Sequence, residues 1–185
     1  MDASQNLLIA MMYVTVLSIC IGNILMGLAS VMQRGSDIAI HWLPLTWVLL
    51  LLLLTLDLFW QTLVILEVEK WGFGQFIFII SGPVLLLFAT SLMLPDSARA
   101  TDGDYRAHYF GIASRFFGLM AALMAWMVGV DFVFGGGMEL TTWLNIAEGG
   151  LLAVVATSTQ ARVHQVVTLL TAGGLVLGAL LQGLG

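Results

Sequence analysis

The sequence predicts an all-α fold: a polytopic membrane helix bundle of six transmembrane helices, forming a single transmembrane domain over residues 1–185. Three observations predict it. Hydrophobic residues make up 60% of the chain and charged residues 9%, with a mean hydropathy of +1.02; a soluble domain is about a quarter charged. The apolar residues fall into six runs, each near the roughly 20 residues that a spanning helix needs: residues 7–30, 41–66, 71–94, 109–133, 140–159 and 163–184. The runs do not alternate apolar and polar residues as barrel strands do; residues 49–54 are consecutive leucines.

The same composition excludes a water-soluble globule. It also speaks against nucleic-acid binding, because six Lys and Arg against eleven Asp and Glu leave a net charge of -5 and no basic patch for phosphates. The single cysteine, Cys20, can form neither an intrachain disulfide nor a thiolate-rich metal site.

Each run is closed by turn or charge signals. The first follows Met1-Asp2-Ala3-Ser4-Gln5-Asn6. That start lacks a basic n-region and a cleavage site, so the first helix is expected to be retained. It ends at Gln33-Arg34-Gly35-Ser36-Asp37, and the second run ends at Glu67-Val68-Glu69-Lys70. The third gives way at Pro95 to the longest polar connection, the fourth stops at Gly135-Gly136-Gly137, and the fifth stops at Gln160-Ala161-Arg162.

Six spans put both termini on one side. Arg34, Arg99, Arg106, Arg115 and Arg162 fall at the ends joined by the first, third and fifth connections, against Lys70 alone at the other ends. The positive-inside rule then places those connections in the cytoplasm and both termini outside, as suits a multi-pass protein of a bacterial inner membrane. Trp42, Trp47, Trp71, Trp126, Trp143, Tyr105 and Tyr109 sit near predicted helix ends and read as interfacial anchors.

Close helix contacts in lipid rely on small residues at four-residue spacing. Gly174 and Gly178 supply one such pair, and Ala121, Ala125 and Gly129 supply a stripe on the fourth helix. These are expected to pack helices within the chain; a homo-oligomer seam is the sharper alternative.

The informative residues are acids inside apolar runs. Asp57 lies well inside the second run and Glu148 near the middle of the fifth. An Asp at a helix centre costs about 2.5 to 3.5 kcal/mol on insertion scales, so such a group faces protein or water and is a functional candidate by default. Neither helix carries a basic residue near that depth, so at least one of the two acids is expected to be protonated at neutral pH or to bind a cation. Asp131 lies close to the outer end of the fourth run, where water is expected to reach it. Helical spacing gathers polar companions: Gln61 shares a face with Asp57, and Thr141 and Asn145 share one with Glu148. His164, Thr168, Thr171 and Gln182 form a stripe on the sixth helix.

A 3+3 inverted repeat is a further expectation. The middle helix of each half carries an acid. The third helix of each half is expected to break, at Gly82-Pro83 and at Gly173-Gly174, and each break follows its acid at the same separation. Discontinuous helices at matching positions mark inverted-repeat transporters, and Pro83 both lacks an N–H and crowds the carbonyl four residues back.

His41, His108 and His164 all fall at the cytoplasmic ends. No pair at i, i+3 or i+4 supports a metal, and they read as interfacial polar residues. Neither a metal nor any other cofactor is expected, and no hydrolase, nucleotide or redox motif is present, so an enzyme, acting on lipid headgroups, is the least supported class. The leading expectation is a small transport protein or channel that moves protons or a small cation or solute along a path lined by Asp57, Gln61, Asn145 and Glu148. The alternative is a non-catalytic subunit of a larger membrane complex. Membrane lipids are partners in either case.

Overall fold

The computed structural model describes residues 3–33, 42–93, 105–134 and 137–183, with side chains described for 4–33, 42–93, 108–134 and 137–175. Every regular element among them is a helix: α1 (Ala3–Gln33), α2 (Trp42–Trp60), α3 (Thr62–Ile65), α4 (Phe73–Met93), α5 (Tyr105–Val133), α6 (Leu140–Thr157) and α7 (Ala161–Gly183). Five segments are long and apolar enough to cross a membrane, with α2 and α3 together forming the 24-residue segment Trp42–Ile65. At 23 residues, α7 has the length of a sixth. The ends fall within a few residues of the apolar runs. The expectations for His41, Arg34, Arg99 and the polar connection after Pro95 lie outside the described residues, as do those for the side chains of Tyr105, Arg106 and Gln182 and for the packing of Gly178.

The helices close into a ring. α1 packs on α4, α4 on α5, α5 on α6, α6 on α7, α7 on α2, and α2 back on α1. The α5–α6 seam is tight because Gly149 lets α6 approach: a Cβ there would lie 3.1 Å from Met124 Cβ and 3.9 Å from the Ala121 carbonyl oxygen. Gly129 likewise receives the ring of Phe78 from α4, at 2.7 Å from where its Cβ would be. Ala121 and Gly129 thus serve helix packing, in the way small residues do in lipid, whereas Ala125 is exposed.

Two expectations are corrected here. The breaks at Gly82-Pro83 and Gly173-Gly174 are absent, since α4 continues through Pro83 and α7 through both glycines. Proline is tolerated inside a membrane helix where neighbouring groups meet the disturbed backbone. Here the Phe78 carbonyl, one residue before the Ile79 carbonyl that Pro83 leaves without its donor, accepts from both the Ser81 hydroxyl and the Trp126 indole, at 2.6 and 2.7 Å. Gly82 provides room rather than a break, because a Cβ there would lie 2.4 Å from the Trp126 ring. The chain is irregular instead at Gln61, between α2 and α3, where bonds such as Val64 N–H to the Gln61 carbonyl tighten the last turn.

The second correction concerns the aromatics. Trp47, Trp71, Trp126 and Tyr109 are buried core residues, not interfacial anchors; Trp42 and Trp143 do face outward. Trp47 meets Phe116 and Phe117 edge to face at 5.2 and 5.1 Å, an arrangement that the ring quadrupoles favour. His164 joins the same cluster, fully buried, with its ring 5.2 Å from Phe117. Its Nε2 donates to the Ser158 carbonyl at 2.9 Å, since a carbonyl can only accept, and in the neutral ring Nδ1 then accepts from the Tyr109 hydroxyl at 3.2 Å. It is a satisfied core histidine, not the interfacial one expected.

Candidate functional site

A cavity of about 920 Å³ lies inside the ring, bounded mainly by α2, α5, α6 and α7. Each helix presents one face to it at three- and four-residue spacing. From α2 and the turn that follows come Trp47, Leu50, Leu54, Asp57 and Gln61. From α5 come Met120, Met124, Met127 and Asp131. Residues three and four apart share a helical face, so one stripe on each helix is enough to wall the space. α6 contributes Thr141, Asn145 and Glu148, and α7 contributes Thr171 and Gly174.

All four residues read from the sequence as a polar path, Asp57, Gln61, Asn145 and Glu148, therefore line the same space. Asp57 is half-buried near the end of α2, and Gln61 Nε2 donates to its Oδ2 at 2.7 Å. Tyr13 of α1 lies within electrostatic reach of Asp57 and lines the cavity with it. Glu148 is half-buried midway along α6, with Thr171 of α7 as its polar neighbour. Gly174 leaves room for it: a Cβ at that position would lie 4.0 Å from Glu148 Oε2. A larger residue there would press on the carboxyl group.

Asp131 belongs to the same space, although the sequence placed it only near water. It is half-buried and accepts a 2.5 Å bond from the Thr142 hydroxyl, tying α5 to α6. Three acidic residues thus line one cavity, and none of its described lining residues is Lys, Arg or His. They are spread around the walls rather than converging: among the described residues no group of three His, Cys, Asp or Glu is placed to hold a metal ion. The rest of the wall is mostly aliphatic, Met and aromatic side chains, including Trp47, Trp71 and Trp126.

Trp71 has a distinctive state. It is 8% exposed, and its indole N–H is a buried donor without an acceptor among the described residues. Buried polar groups are nearly always satisfied; among the described residues this N–H and His108 Nε2 are the buried side-chain exceptions.

Toward the end of the bundle where α5 and α7 begin, the aromatic cluster takes over from the cavity. Trp47 belongs to both: it lines the cavity, and its indole N–H donates to Thr168 at 2.9 Å. The Thr168 hydroxyl in turn donates to the His164 carbonyl at 2.7 Å. Thr168 and His164 of the sequence-read stripe therefore brace this end, while Thr171, one turn on, reaches the cavity.

Sequence reasoning missed Tyr13, Trp71, Trp126 and the inward role of Asp131. A signal was available for Asp131, which continues the Met120, Met124, Met127 stripe at helical spacing. None was available for Tyr13, which enters the site only because α1 packs beside α2.

No family model, no curated protein and no solved structure matches this chain.

Proposed function

We propose that this chain is a small integral membrane transport protein or channel, moving protons or a small cation or solute through the cavity between α2, α5, α6 and α7. Asp57 and Glu148 are the carrying groups, and Gln61 and Asn145 are their polar companions. One observation supports this reading above others: two acids from separate helices, each with its amide companion, line a single space with no basic residue among its described lining residues. Carboxyl groups at such depth mark ion and proton pathways.

In the orientation we propose, both termini lie outside and the arginine-bearing ends lie in the cytoplasm, in a membrane such as the bacterial inner membrane. The 3+3 inverted repeat stays part of the proposal. It is supported by the acids of the two middle spans facing one cavity, and is no longer supported by broken third helices.

The test is flux in proteoliposomes. Protons and alkali cations are followed across vesicles holding wild type, Asp57→Asn or Glu148→Gln, with folding checked by gel filtration and circular dichroism. We expect flux in wild type and a large loss in both folded variants. Wild-type vesicles that pass no tested ion or solute would overturn the proposal.

A second reading, a subunit of a larger membrane complex, is favoured by α6. Of its 18 residues only Thr142, Leu152 and Val155 are buried, and Trp143 stands 56% exposed. A monodisperse lone chain after extraction in gentle detergent would weigh against it.

A further inference from the structure

Resting on the transport reading of this cavity, we propose that it also admits a lipophilic organic cation.

Size comes first. About 920 Å³ is the scale of pockets that enclose whole organic ligands and far exceeds what one ion fills. The acids are distributed around the wall instead of converging as ligands to one ion would. Charge comes second. Asp57, Asp131 and Glu148 line the space, and no described lining residue is a cation, so an anionic occupant is opposed and a cationic one is drawn in. The walls come third. Three tryptophans and Tyr13 stand in the wall among aliphatic and Met side chains. Aromatic faces attract cations, and more so where water is excluded; Met-rich surfaces adapt to varied apolar shapes.

The route of entry agrees with a lipophilic ligand. α2 and α6 both line the cavity, α2 packing on α1, α4 and α7 and α6 on α5 and α7. Along this stretch Leu53, Leu144 and Leu151 line the space and are exposed, so an apolar ligand reaching it between α2 and α6 meets leucine side chains.

The probes are tetraphenylphosphonium and tetraphenylborate, which share shape and size but differ in charge sign. Binding to the full chain in nanodiscs is measured against empty nanodiscs. We expect saturable binding of tetraphenylphosphonium and none of tetraphenylborate, with the cation bound about tenfold more weakly by Glu148→Gln or Asp57→Asn. Equal binding of the two probes, or no saturable binding of either, overturns the inference; this comparison needs no variant to fold. Proton or alkali-cation flux that depends on Asp57 and Glu148 without tetraphenylphosphonium binding would remove this inference and leave the transport reading standing. Binding without flux of any ion or solute would do the reverse.

Discussion

The indole nitrogen of Trp126 donates to the backbone carbonyl of Phe78 at 2.7 Å, across the α4–α5 seam and one turn before Pro83. The contact is reciprocal. The Trp126 ring fills the space that a Cβ on Gly82 would occupy, and the Phe78 ring fills the space at Gly129. Two large side chains and two glycines interlock, and the bond anchors α4 one residue before the Ile79 carbonyl that Pro83 crowds.

Gly82→Ala is therefore expected to destabilise the bundle by about 1 to 3 kcal/mol, the usual cost of overpacking, because the obstructing group is a rigid, bonded ring. Gly22→Ala, where the new methyl meets nothing within 4 Å, serves as the comparison and is expected to be near neutral. Thermal unfolding of both variants in the same detergent checks this.

Trp126 and Trp71 are predicted to respond oppositely to the same substitution. Trp126→Phe strips a bond from the Phe78 carbonyl and is expected to cost about 1 kcal/mol or more. Trp71→Phe removes a donor that has no acceptor among the described residues, so unfolding of the ligand-free protein is expected to be unchanged or slightly later. A clear loss of stability in Trp71→Phe would show that its N–H is already satisfied.

The buried histidine offers a spectroscopic prediction. With Nε2 donating to the Ser158 carbonyl and Nδ1 facing the Tyr109 hydroxyl, neutral His164 is the Nε2–H tautomer. Nitrogen-15 chemical shifts of labelled histidine, assigned with His164→Gln, distinguish the tautomers. Tyr109→Phe is expected to cost about 1 kcal/mol and to shift the Nδ1 resonance, while leaving the Nε2 proton in place.

Asp131 and Thr142 tie α5 to α6 beside the cavity mouth. Thr142→Val keeps the buried shape and removes the donor, which is expected to cost about 1 kcal/mol or more. Thr141→Val, on an exposed position, is expected to have little effect on unfolding. Equal behaviour of the two variants would count against this link as a stabilising contact.

Much of this protein was set by local sequence. Hydropathy over windows of about 20 residues placed the spans, and helical period put Asp57 with Gln61 and Thr141 with Asn145 and Glu148 on common faces. The acids stood out because each is costly in hydrocarbon. Only tertiary packing decided that the two faces look into one cavity, that Asp131 joins them, that four aromatics are core residues, and that Gly82 accommodates an indole instead of breaking a helix. The reason lies in the solvent. Lipid tails are as apolar as leucine, so an apolar helix face carries no mark saying whether it meets a neighbour or the bilayer. Which stripes meet is settled by shape and by the few polar groups that need partners, and those matches exist only once the helices stand side by side.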